Sequence, residues 1–134
     1  MICDLEKQCC VARNPFTALS LKHRLRGMIG RRFEQGVLDA MIFPDCNAVH
    51  SMWMGISLDL LFLDAENEIV GLKSDFRPWA FPVRCTKAVT TIELPVGTIK
   101  ALGLEKGDHI DLNCNLSEKL FEKSQKTAIV SADI

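Results

Sequence analysis

The stretch "LDLLFLDAENEIVGLKSDF", residues 58 to 76, constrains the fold more than any other part of the chain. Two runs of β-favouring residues flank Asp64-Ala65-Glu66-Asn67, and Asn67 tolerates the positive φ that a hairpin turn needs. Other short strands are predicted on both sides of it. "CCVARNPF" reads as a first strand that breaks at Asn14-Pro15. "AMIF" is a second apolar run, closed by Pro44-Asp45, and the alternation of "CNAVHSMWMG" (46 to 55) suits another strand. "CTKAVTTIEL" and "HIDLN" complete the set, with the turn "EKGD" before the last.

Helix is scarcer. Thr17 and Ser20 are good N-caps for a helix that carries Leu21, Leu25 and Met28 on one stripe, and Gly30 suits its C′ position. Pro95 opens a second, short helix, "PVGTIKALG", ended by Gly103. Strand after strand without regular helical crossovers argues against a doubly wound sheet. The expected fold is therefore mostly β (α+β): a small barrel-like or rolled antiparallel sheet, whose short edges closure would protect, with one principal helix and a short second one. The 134 residues make a single domain, with a core over about 12–113 and a C-terminal tail over 114–134.

The net charge of −1 disfavours a globally basic nucleic-acid binder. Its distribution is uneven. Between Ser20 and Arg32 lie five basic residues (Lys22, Arg24, Arg26, Arg31 and Arg32) and no acid, which leaves 11 basic against 17 acidic residues elsewhere. One positive patch on an acidic surface is expected. No apolar run reaches the roughly 18 residues of a membrane-spanning helix, and the first 30 residues lack the apolar core of a secretory signal. The chain reads as cytoplasmic as written, or envelope-associated if a leader has been removed. Its six cysteines then read as reduced thiols, and no C-x-x-C motif is present.

Five segments, "RLRGMIGRR", "MIFP", "HSMWM", "LDLLFLDAENEIV" and "IELPVGTIKALGLEKGD", together resemble a widespread microbial family, domain of unknown function family 192. That family's pattern runs through "RGLMGR", "FPF", "FWM" and "PLDIIFID" to "VLELPAGTAERLGIKPGD". The similarity spans roughly residues 12 to 113. It departs at Ile56-Ser57-Leu58, where an asparagine-threonine-proline type lead-in is usual, and at Val96, which stands for alanine. The resemblance implies a bacterial-type, uncharacterised protein with a compact barrel-like β-rich fold. It carries no generally established catalytic mechanism, and some relatives look like secreted or envelope proteins.

Four constellations carry possible chemistry. Trp53, Asp59, Arg77, Trp79 and Phe81 could border one mouth of the barrel as a ligand pocket, with an Arg77–Asp59 salt bridge fixing the loop. On a strand, His50 and Met52 share a face about 7 Å apart. With Cys46 folded back they could hold Cu(I) or zinc, whereas in a core they would be packing residues. Cys85, flanked by Arg84 and Lys87, is the candidate reactive thiol, against a buried strand cysteine. The basic helix end contains a G-x-x-G similar to the backbone-clamping loop of KH domains, but the element order of that fold is missing.

Enzyme signatures are absent: no G-x-S-x-G, no Walker loop, no H-E-x-x-H and no dinucleotide fingerprint. The expected function is a non-catalytic module that binds a small ligand or a protein partner, with a homodimer as one arrangement open to it, no cofactor, no membrane insertion and nucleic acid disfavoured. The alternatives are a metal or thiol redox protein through Cys46, His50 and Met52 or Cys85, and nucleic-acid binding through residues 22 to 32.

Overall fold

The computed structural model describes residues 1–20, 22–23 and 28–115. In chain order the elements are β1 (Ile2–Asp4), β2 (Cys9–Ala12), β3 (Pro15–Thr17), β4 (Ala40–Pro44), β5 (Ala48–Val49), β6 (Leu58–Leu63), β7 (Ile69–Phe76), β8 (Val83–Arg84), β9 (Thr90–Pro95), a helix α1 (Thr98–Leu102) and β10 (Ile110–Asp111). The protein is mostly β. Its centre is a five-stranded sheet in the order β3-β4-β9-β6-β7, with the smaller sheets β10-β1-β2 and β5-β8 packed around it. The arrangement is a rolled sheet rather than a closed barrel.

Every residue of β6 is buried, which explains why "LDLLFL" is nearly all apolar: the strand is covered on both faces. Leu61 and Leu63 join Ala40, Ile42, Ile92 and Leu94 in one core, capped by Ile2, Val11, Ile99 and Ile110 from the small sheet and α1. Leu58, Leu60 and Phe62 face the opposite core with Met41, Phe43, Val49, Met54 and Phe76. The β6–β7 hairpin forms as its sequence predicts. Asn67 closes the turn at φ 59°, and the Asp64 carboxylate accepts the amides of Glu66 and Glu68.

Ser20 Oγ accepts the His23 amide, the hydrogen bond that an N-cap of the expected principal helix would make, and Lys22 and His23 are helical. Leu21, Arg24, Leu25, Arg26 and Gly27 lie outside the described residues, so the body of that helix is not described. The short helix forms as α1, with Gly97 (φ 92°) and Gly103 (φ 66°) at its two ends. "CCVARNPF" breaks at Asn14-Pro15 as expected. It divides into β2 and β3, which belong to different sheets, and the Asp39 carboxylate accepts the Arg13 and Asn14 amides at the break.

Two expectations need correction. Residues 46 to 55 do not form a strand beyond Ala48–Val49: the Met54 amide donates to the Ser51 carbonyl and closes a turn instead. Nor are all six cysteines reduced, because Cys3 and Cys114 form a disulfide with their Cα atoms 5.9 Å apart. Antiparallel pairing of β1 with β10, continued by the Cys114 amide donating to the Met1 carbonyl, unites residues 111 positions apart. Linear spacing carries no sign of that. It also brings Cys114 out of the supposed tail; residues 116–134 lie outside the described residues.

Candidate functional site

The β5–β8 ribbon, paired Ala48 to Arg84 and Val49 to Val83, brings together the loops that carry the aromatic residues. Each loop makes a four-residue turn. In the first, Ser51-Met52-Trp53-Met54, the Met54 amide meets the Ser51 carbonyl; in the second, Arg77-Pro78-Trp79-Ala80, the Ala80 amide meets the Arg77 carbonyl. Trp53 (φ 65°) and Trp79 (φ 61°) occupy the third position of their turns in the left-handed region. That is the type II geometry, which favours proline second, as at Pro78, and glycine third.

Ser51, fully buried, holds the two turns together. Its hydroxyl accepts the Ala80 amide at 2.8 Å and donates to the Ala80 carbonyl at 3.3 Å. Its carbonyl also accepts the Trp79 amide. The result is an edge-to-face indole pair with centroids 4.9 Å apart. Both rings remain in solvent, Trp53 70% and Trp79 60% exposed, and Met52 (48%) and Phe81 (94%) add further exposed apolar surface in the same two loops. The indole pair in two clamped turns, with Met52 in the first and Phe81 just after the second, exposes apolar surface that a core does not require.

The other pocket candidates part company. Asp59 is buried, and its carboxylate accepts the Asp75 amide and the Ile99 amide at 3.0 and 2.9 Å, tying β7 to α1. The expected Arg77–Asp59 salt bridge does not form. Arg77 pairs with the exposed Asp75, because the Asp59 side chain is directed toward the α1 side of β6.

Of the soft-ligand set, Cys46 donates its thiol to the Ala48 carbonyl. His50 is exposed and Met52 stands at a turn corner, so the strand alternation that aligned His50 with Met52 is absent. Cys85 is half-buried against the second core, 3.0 Å from where a Cβ on Gly71 would lie. In the basic segment, Lys22 and Arg32 are exposed, and Arg31 stacks over Phe16 beside an open cleft of about 580 Å³ that Arg13 also lines. Arg24 and Arg26 lie outside the described residues.

A group that the sequence reading missed sits where the small sheet meets the turn before β10. Among the described residues, Asp4, Glu6 and Asp108 alone bring three potential metal-ligand oxygens together, within 4.8 Å of one another. Burial, then the adjacent Asp108, pushes the Asp4 carboxyl up to about 6. Lys7 supplies countercharge through ion pairs with Glu105 and Asp108, and Glu6 bonds both the backbone amide and the ring of His109. These contacts raise the His109 pKa and lower that of Glu6. Oxygen ligands would suit a hard cation rather than copper or zinc.

The five sequence motifs thus lie on β4, the Trp53 turn, the β6–β7 hairpin, β9 with α1, and the partly described basic segment. A family model described as an uncharacterized ACR, domain of unknown function 192, matches residues 14–112. The chain belongs to this family. Among curated relatives, a "UPF0127 protein" of Thermococcus sibiricus is 45% identical over 64 residues, covering 48% of this chain and 41% of that protein. Another, of Pyrococcus furiosus, is 36% identical over 66 residues, covering 49% and 56%.

The matched segments span about half the length of these curated relatives, which are archaeal. Two solved structures share the fold. A Novosphingobium aromaticivorans protein of unknown function superposes with a TM-score of 0.63 at 20% identity, covering 77% of this chain and 79% of that one. A Sinorhizobium meliloti 1021 protein that carries a provisional transcription-regulator name gives 0.64 at 21% identity, covering 72% and 79%. Among the described residues, no helix is long and apolar enough to cross a membrane.

Proposed function

We propose that this family member is a non-catalytic binding module, and that the Trp53–Trp79 pair, with Met52 and Phe81 beside it in the chain, is its contact surface. The partner is a peptide or protein segment that presents an apolar anchor. One observation carries this reading: two of the bulkiest side chains are displayed in solvent at turn positions that favour glycine. A non-glycine residue held there costs about 1–3 kcal/mol. An aromatic pair returns only about 0.5–1.5 kcal/mol. Folding alone therefore gives no reason for tryptophan at both corners. Tryptophan is the residue that most often dominates binding energy at interfaces.

The chain has two tryptophans and no tyrosine, so its indole signals report on this surface alone. Titration with short peptides bearing leucine, phenylalanine or proline anchors should shift both indole N–H resonances saturably, and Trp53→Ala should abolish the shift. Binding that leaves both indoles unmoved, or that survives Trp53→Ala and Trp79→Ala unchanged, refutes the reading. Stability supplies a second arm. Trp79→Gly should unfold within about 1 kcal/mol of the wild type, and Trp79→Ala should be about 1 kcal/mol less stable than Trp79→Gly. A loss of several kcal/mol in Trp79→Gly would mark the ring as structural.

A further inference from the structure

The Cys3–Cys114 disulfide has a free thiol packed against it. Cys10 is the cross-strand partner of Cys3 in the β1–β2 pair and joins the cluster formed by Cys3, Cys114 and Met1. A one-residue bulge decides this: Ile2 pairs with Ala12 but Cys3 pairs with Cys10, so Val11 is left over. Without the bulge, valine would stand opposite Cys3. Directly opposed residues of an antiparallel pair share a face, with Cα atoms about 4.5–5.5 Å apart. That lies inside the range of about 4.4–6.8 Å that a disulfide spans. Cys3 can therefore be bridged from either flank.

We propose that Cys3, Cys10 and Cys114 form an internal thiol–disulfide exchange centre, with Cys10 as the nucleophile that opens the Cys3–Cys114 bond. β1 has β2, which carries Cys10, on one flank and β10 on the other, and Cys114 follows β10 three residues beyond Asp111, its amide bonded to the Met1 carbonyl and its sulfur to Cys3. Cys10 loses its proton to solvent and its thiolate attacks Cys3 Sγ. The Cys3–Cys10 bond forms as the Cys3–Cys114 bond breaks, and Cys114 leaves with the electron pair and takes up a proton. One disulfide replaces another, so no oxidant or reductant is consumed. The outcome unties Cys114 from β1. Cys9 is the poorer nucleophile: it pairs with Asp4, and burial, then that carboxylate, pushes its thiol up.

The test uses the full chain with Cys9, Cys46 and Cys85 replaced by serine. Oxidised protein is held at a series of pH values, quenched in acid, and its free thiols are alkylated and mapped by mass spectrometry. Cys3–Cys10 peptides with free Cys114 should appear, at a rate rising about tenfold per pH unit while the thiol is still largely protonated. Adding Cys10→Ser should abolish the release of Cys114. In a second arm, Cys114→Ser is oxidised with glutathione disulfide. Cys10 should then displace glutathione to give Cys3–Cys10, whereas Cys114→Ser with Cys10→Ser should stall as the Cys3–glutathione mixed disulfide. Failure to form Cys3–Cys10 in both arms, or release of Cys114 without Cys10, overturns the proposal.

Discussion

Replacing Glu93 with glutamine should remove most of a pH dependence that one buried acid imposes on the whole fold. Glu93 lies mid-strand in β9, in register with Met41 on one side and Leu60 on the other, and faces the core of Met41, Phe43, Leu60 and Phe62. It is buried, and its Oε2 has no hydrogen-bond partner among the described residues. Desolvation pushes its carboxyl from the ordinary 4.5 up to about 8. The folded value is the raised one, so the native state holds the proton more tightly than the unfolded chain. The associated stability is fully present below pH 4.5 and is lost as pH rises through 8. At 1.36 kcal/mol per pH unit, the full loss is about 5 kcal/mol, of which about 3 kcal/mol is gone by pH 7.

Glutamine keeps the volume and does not titrate. The stability difference between Glu93→Gln and wild type should therefore climb from near its pH 4 value by about 3 kcal/mol at pH 7 and about 5 kcal/mol at pH 9. Any cost of burying the amide is a constant offset. Urea unfolding across this range, followed by the fluorescence of the two tryptophans, measures the difference, and subtraction cancels groups common to both proteins such as Asp4 and His109. Parallel stability curves would refute the reasoning.

Two further perturbations probe the frame beneath the site. Asp59→Ala strands the Asp75 and Ile99 amides, and should cost about 2–4 kcal/mol by urea midpoint with faster hydrogen exchange at both amides. Gly71→Ala places a Cβ 3.0 Å from Cys85 Sγ and 3.3 Å from Phe62. It should cost about 1–3 kcal/mol, and adding Cys85→Ala should recover part of that loss; a double-mutant cycle with no coupling would show that the clash is relieved elsewhere.

Much of the frame could be read locally. The β6–β7 hairpin, β4 and α1 follow from apolar runs bounded by proline, asparagine and glycine, and their signals lie within a few residues of each element. β1 carries no local signal, because three residues with no periodicity acquire a strand only by pairing with β10 and β2. The alternating pattern of the Trp53 segment fits a strand, yet the Met54 amide closes a turn on the Ser51 carbonyl and the buried Ser51 hydroxyl bonds across to Ala80. The Pro78-Trp79 pair did carry a turn signal, with proline at the second position.

The sequence by itself determined the β-rich class, the hairpin and the family. Those depend on residue type and on short-range order along the chain. Tertiary structure alone decided that the two indoles meet, that Asp59 serves the backbone rather than Arg77, and that Cys3 lies between Cys10 and Cys114. Each of these depends on which strands pair and in what register. A one-residue bulge is enough to exchange a valine for a thiol, and no local pattern encodes that choice.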